Sequence, residues 1–296
     1  MKNRQLMRSL LFVPGDQPER MKKAVGLNAD VLIMDLEDSV APNEKVKARK
    51  CVADFLDIEH GTCRTVFVRT NSLDSELLRS DLEAIVRPGI SGVILPKVDS
   101  ARDIDELAGE IDILERGAGL ESGSLRIIGL IESAIGVIHA FEIAEASPRM
   151  IALALGAEDY ALDMGIERSA EGTEIFYPRS VLAVAARAGG IFSIDTPYVN
   201  VRDEAGLVED AKLSRRQGFT GKLVIHPDQI RSVNQIFAPS AEEVTKARQI
   251  VEAFQSALSQ GAGVTVVEGR MVDTPVYENA RKLLEIASSI ENSEEG

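Results

Sequence analysis

At 296 residues the chain is longer than most single domains, yet barrel-type α/β domains of about 250 residues are common, so length does not demand two domains. A net charge of −14 opposes binding to nucleic acid or anionic membrane, both of which need clustered cations, and leaves an anionic small molecule only where a local basic patch exists. The composition is that of a globular protein, 45% hydrophobic without Trp. Its two cysteines, Cys51 and Cys63, are too few for a disulfide framework or a zinc site, and no stretch approaches ~18 apolar residues.

The opening "MKNRQLMRSLLFVPG" is basic, but its apolar run is too short for a secretion signal, so a soluble cytoplasmic protein is expected. From there short β-rich runs alternate with amphipathic helical segments. The first strand, "SLLFVP" (9–14), leads into "VPGDQPER" and the basic run Arg20, Lys22 and Lys23; no glycine-rich fingerprint follows it, which argues against a doubly wound sheet. Then come "VLIMDL" (31–36) with the helical "NEKVKARKCVADFL", "TVFVRT" (65–70), and "GVILPK" (92–97) with "ARDIDELAGEIDILE". The second half continues with "RIIGLIE" (126–132) and "AIGVIHAFEIAEA", "MIALALG" (150–156), "IFSIDT" (191–196) after "EIFYPRSVLAVAARAG", and "KLVIHP" (222–227). Most of these runs are apolar throughout, as strands covered on both faces are, and eight βα repeats predict a closed (β/α)8 barrel over residues 1–238.

Beyond it the pattern changes. "PSAEEVTKARQIVEAFQSALSQ" reads as one long helix, "GVTVVEGRMVD" as two short strands around Glu268 and Gly269, and "PVYENARKLLEIASSI" as a last helix before a polar, frayed end, "ENSEEG". Residues 239–296 are thus a helical and β-ribbon extension, too small to stand alone, whose apolar positions need a surface on the barrel or on a neighbouring subunit.

Active sites of such barrels lie at the carboxyl ends of the strands. Those ends carry Asp35, Glu37 and Asp38; Arg69 and Asn71; Pro96 and Lys97; Glu132; Glu158 and Asp159; Asp195; and His226. Singly, each has an ordinary structural explanation: Asp35 or Asp38 can satisfy loop amides, Asp195 can cap "TPYVN", and His226 can make a loop hydrogen bond. Together, at least six carboxylates facing two or three cations imply a further counter-charge, and a divalent metal is the simplest. The donors on offer are oxygens, which favours Mg²⁺ or Mn²⁺ over zinc, and Glu132 with Asp159 on adjacent strand ends suits an ion that takes one or two protein carboxylates.

The segments "RSLLFVPG", "DLEDSV", "VRTN", "LPKV", "IESAIG", "GAEDY", "EGTE", "EAG", "GFTGK" and "GRMVDTP" occur in this order. In them nearly the whole chain resembles the citrate lyase beta-subunit family of the HpcH/HpaI aldolase and citrate lyase superfamily, which includes citramalyl-CoA and malyl-CoA lyases. The resemblance implies a TIM barrel of the phosphoenolpyruvate-binding type and Mg²⁺-dependent cleavage of a 3-hydroxyacyl thioester into an α-keto acid and an acetyl thioester. It assigns the metal to Glu132 and Asp159, the substrate arginine to Arg69, and contacts with the thioester carrier to the neighbourhood of Phe12 and Lys23. Thr70 departs from the aliphatic residue usual beside that arginine. The Arg20, Lys22 and Lys23 run equally fits a solvated helix face. The acid/base carboxylate falls on Asp273, in an extension that reaches a neighbouring subunit's mouth in the family, so a homo-oligomer, trimer or hexamer, is implied.

In that chemistry Mg²⁺ chelates the substrate hydroxyl and the adjacent carboxylate, Arg69 meets the thioester enolate and Asp273 protonates its carbon. The hydroxyl's proton acceptor stays open among Asp35, Glu37, Asp38 and a metal-bound water. Three functions remain: a citrate lyase beta subunit acting on a citryl thioester of a separate acyl-carrier protein within a multi-subunit lyase, a stand-alone citramalyl-CoA or malyl-CoA lyase, and a non-catalytic barrel for binding or assembly. A haloacid-dehalogenase-type phosphatase built on "DLEDSV" fails, because position 37 is Glu where a second Asp is required.

Overall fold

The computed structural model describes residues 6–59, 65–169 and 171–294; Cys63 lies outside them, and Cys51 is a free thiol. Eight parallel strands close a barrel in chain order: β1 (Ser9–Pro14), β2 (Val31–Asp35), β3 (Thr65–Arg69), β4 (Gly92–Leu95), β5 (Arg126–Ile131), β6 (Met150–Leu155), β7 (Phe192–Asp195) and β8 (Gly221–Val224). Helices follow the strands, so the (β/α)8 TIM barrel expected from the repeats is the fold. The two-residue period of a strand explains its core. Leu10, Ile33, Phe67, Ile94, Ile128, Leu130, Ala152, Ala154, Ile194 and Leu223 form one cluster that fills the barrel. The intervening Leu11, Leu32, Val68, Val93, Leu153 and Val224 are buried on the outer, helix-covered face, which is why the runs are apolar without alternation.

β1 ends where expected, and the other seven strands stop one to three residues short of their expected ends. β4 stops because Pro96 has no N–H for the ladder and Lys97 turns to φ +56°. β8 stops because Pro227 opens the helix Pro227–Phe237. The single helix expected over 134–146 is two, Ala134–Ile138 and Ala140–Glu145, broken at His139.

Asp195 corrects an expectation. Parity turns it outward from β7, away from the mouth, and among the described residues it caps no amide. Its carboxylate instead accepts from Arg179 Nε and Nη2 at 2.8 and 2.9 Å and from Lys222 Nζ at 2.6 Å. Asp210 accepts from the same two cations at 2.7 and 2.6 Å. Two anions thus balance two cations between β7, β8 and their helices. Lys222→Met leaves this cluster with an uncompensated buried charge and is expected to cost about 3–5 kcal/mol in urea unfolding.

Residues Met7–Val233 form one compact unit, and Leu6 with the described residues from Asn234 onward a second. In the latter, Ser240 and Glu243 cap the helix Ala241–Ser259 reciprocally. β9 (Thr265–Val267) and β10 (Arg270–Val272) pair as a hairpin whose two turn residues, Glu268 and Gly269, both have positive φ, as a type I′ turn requires. The final helix continues through Glu294, further than its polar end suggested. It stacks Tyr277 on Phe254 of the helix Ala241–Ser259, with ring centroids 4.8 Å apart. Among the described residues no helix is long and apolar enough to cross a membrane.

Candidate active site

One further step along seven of the eight inward registers leaves the buried apolar cluster and reaches residues that are mostly polar or small. These are Phe12 on β1, Asp35 on β2, Arg69 on β3, Glu132 beyond β5, Gly156 beyond β6, Thr196 beyond β7 and Ile225 beyond β8. All of them line one cavity of about 780 Å³ at the carboxyl ends of the strands.

Arg69 is its buried cation. Its guanidinium lies over the Phe12 ring, 4.8 Å from the centroid, and donates from Nε and Nη2 to the two oxygens of Asp35 at 2.7 and 2.8 Å. Nη1 meets Asp38 at 3.2 Å and Glu37 at 3.0 Å. Burial opposes the charge of Asp35, but the hydrogen bonds and charge of Arg69 outweigh it, and the carboxyl is held below its usual range. Asp35 also accepts from the Glu37 and Ser39 amides at 3.0 and 3.1 Å, the loop role its position allowed.

Glu37 sits in a different field. Burial pushes its carboxyl up, against the pull of Arg69 and with the added push of Asp38. Its Oε1 pairs with Lys97 Nζ at 3.2 Å, while Oε2 faces Arg69 out of hydrogen-bond alignment.

Glu132 is the site's buried carboxyl without an ion-pair partner among the described residues. It is 4% exposed, and its only hydrogen bond among the described residues comes from the Lys97 amide to Oε2, at 2.8 Å. Burial first, then the charges of Glu37 and Asp159, push its carboxyl up to about 8. The carboxylate lies against bare backbone: a Cβ on Gly156 would be 2.5 Å from Glu132 Cγ and Oε1.

Asp159 lies not at a strand end but in the first turn of the helix Ala157–Met164, where free amides favour an anion. That turn is tied to β7 by the Ala157 amide, which donates to Thr196 Oγ1 at 3.2 Å. Glu158 beside it pairs with Arg168 at 3.0 Å. Among the described residues neither Glu132 nor Asp159 has a cationic side chain within ion-pair distance, and no three His, Cys, Asp or Glu side chains are grouped to hold a metal. A divalent cation here would rest on these two carboxylates, which line one cavity and offer the oxygen donors such an ion takes.

The other sequence candidates divide. Lys23 and Arg20 are exposed at the cavity rim, on the helix Pro18–Val25. His226 lines the cavity and accepts the Asp228 amide on Nδ1 at 3.3 Å, the loop bond expected of it. Asp273 belongs to the other unit, where its side chain accepts the Val276 amide at 3.2 Å and caps the final helix. Gly156 and Thr196 escaped notice in the sequence, although counting each inward register two residues further finds both.

A family model described as HpcH/HpaI aldolase/citrate lyase matches residues 8–227. The citrate lyase subunit beta of Escherichia coli (strain K12) is 43% identical over 279 residues, 94% of this chain and 92% of that protein. A mitochondrial citramalyl-CoA lyase of Homo sapiens is 34% identical over 294 residues, 96% of this chain and 86% of that one. The crystal structure of CitE from Mycobacterium tuberculosis, in complex with magnesium, acetoacetate and coenzyme A, superposes with a TM-score of 0.78 at 35% identity, covering 95% of this chain and 97% of that one. The barrel, its polar mouth and these likenesses agree, and the chain belongs to the HpcH/HpaI aldolase/citrate lyase family.

Proposed function

We propose that this protein is a Mg²⁺-dependent carbon–carbon lyase of the cytoplasm that cleaves a 3-hydroxyacyl thioester, a citryl thioester first among them, into an α-keto acid and an acetyl thioester. The observation that carries the reading is Glu132, a buried carboxyl with no cationic side chain within ion-pair distance among the described residues, sharing its cavity with Asp159 and with an arginine already locked in place. Bound by Glu132 and Asp159, Mg²⁺, or Mn²⁺ in its stead, would supply Lewis acidity and a template for the substrate's hydroxyl and adjacent carboxylate.

The rest falls to the chain's own groups. The bond between the hydroxyl-bearing carbon and the α-carbon of the thioester breaks as the hydroxyl gives up its proton, leaving a keto group and passing the electron pair to a thioester enolate. Arg69 stabilises the enolate oxygen, and its fixed position spares it reorganisation during the step. Of the carboxylates open to the hydroxyl proton, Asp35 has the least to offer, because Arg69 and two loop amides occupy it; Glu37, pushed up by burial, is better matched to a base. Asp273 of a neighbouring copy in a homo-oligomer protonates the enolate carbon. Phe12 and Lys23, with Arg20, receive the carrier at the rim, whether free CoA or an acyl-carrier protein of a multi-subunit citrate lyase.

Keto-acid release from citryl-CoA, (S)-citramalyl-CoA and malyl-CoA tests this, with Mg²⁺ and then with EDTA. Cleavage of one ester that stops with EDTA is the expected result. Failure on all three, and on a citryl acyl-carrier protein, would instead support a non-catalytic barrel. Mixing inactive Asp273→Ala and Arg69→Ala proteins should restore part of the activity, because one copy then supplies each missing group.

A further inference from the structure

Among the described residues only Lys97 and Glu268 have positive φ without being glycine, and Glu268 sits in a hairpin turn that calls for it. Lys97, at φ +56°, has no such turn. Backbone held in this region costs energy and persists where the surroundings impose it, often at functional sites. Here the consequence is visible in the hydrogen bonds. β4 pairs with β5 as far as Leu95↔Gly129, Pro96 offers no N–H, and the ladder resumes with the Val98 amide on Leu130 O at 3.2 Å. The intervening Lys97 amide is thrown off the ladder and donates to Glu132 Oε2 at 2.8 Å. On the other side Gly156 gives the same carboxylate room that any Cβ would take, 2.5 Å from Cγ and Oε1. The Lys97 ammonium is occupied elsewhere, on Glu37 Oε1 at 3.2 Å. Amide and ammonium are therefore separable by mutation.

We propose that Lys97, through its backbone N–H, and Gly156, through its missing side chain, are positioning residues that fix the Glu132 carboxylate so that Oε1 is left for a divalent cation. The inference deepens the proposed function and rests on its reading of Glu132 as a metal ligand. Partners that orient a ligating side chain are worth 10–100-fold in metal affinity in other sites.

The test is calorimetric titration of the purified full chain with Mn²⁺, with circular dichroism and a thermal melt confirming the fold of each variant. Lys97→Gly keeps the amide and accepts positive φ while losing the ammonium, so its Mn²⁺ affinity should stay within about 3-fold of wild type. Lys97→Val resists positive φ, pulls the amide away, and should bind 10–100-fold more weakly. Gly156→Ala should lose at least about 10-fold by displacing the carboxylate; if that variant does not fold, the Lys97 pair decides by itself. The inference is overturned if Lys97→Val binds like wild type while Glu132→Gln does not bind. It is equally overturned if Lys97→Gly loses as much as Lys97→Val, since the ammonium would then be the responsible group. Wild-type affinity in Glu132→Gln would overturn the ligand assignment beneath it, a result distinct from both.

Discussion

Glu132→Gln is expected to abolish tight Mn²⁺ binding and, in the same metal-free protein, to raise the melting temperature at pH 9. The two effects share a cause. Glu132 is buried near Glu37 and Asp159 with no cationic side chain within ion-pair distance among the described residues, and burial and those charges outweigh the pull of Arg69, so that its carboxyl is pushed from an ordinary 4.5 to about 8. For an acid, a folded value above the unfolded one means that the fold retains a proton the unfolded chain has released. Stability from this group is therefore full below about pH 4.5 and declines as pH rises through about 8. A shift of this size corresponds to roughly 5 kcal/mol, and for a chain of this length that is on the order of 10 °C in melting temperature. Gln removes the charge yet keeps an oxygen for the Lys97 amide, so the gain should appear at pH 9 and vanish near pH 5. In wild type Mn²⁺ should recover the loss at pH 9, rising with cation concentration as binding to the folded state requires. Thermal melts across pH, with and without Mn²⁺, check both; a Glu132→Gln melt that tracks wild type at every pH would remove the basis for an unanswered charge.

Arg69→Lys should lower kcat by 10²–10³ while changing KM much less. The guanidinium is held as a planar fork, with Nε and Nη2 on Asp35, Nη1 on Glu37 and Asp38, and its face on Phe12. An ammonium keeps the charge but neither the fork nor the stacking, so it leaves the developing enolate oxygen without a preorganised donor. Losing one such donor costs about 2.7–4 kcal/mol in barrier height elsewhere. Steady-state kinetics of Arg69→Lys with the preferred thioester separate the two parameters. A rise in KM with kcat untouched would make Arg69 a ground-state anchor only.

The barrel was legible because its signal is redundant. Each strand repeats the same doubly covered apolar pattern, and a misplaced end, as at Lys97 or Pro227, does not change the count. Phe12, Arg69, Glu132 and Asp159 were legible through their motifs, and the structure brings them to one cavity. What escaped depends on facing rather than on residue type. Asp195 ends its strand just as Asp35 does, yet one residue of parity sends it outward to Arg179 and Lys222. Gly156 carries no chemistry of its own and matters only because Glu132 fills the space beside it. Lys97 reads as one of the cations of the mouth, whereas its backbone conformation is set by Pro96 and by the resumption of the ladder at Val98.

The most direct measurement of the central claim is a product balance on the cleaved thioester, by mass spectrometry with a thiol reagent present. Carbon–carbon cleavage gives equal amounts of keto acid and acetyl thioester and no free thiol, the expected result. Hydroxy acid with free thiol would mean that the mouth hydrolyses the thioester, contradicting a lyase.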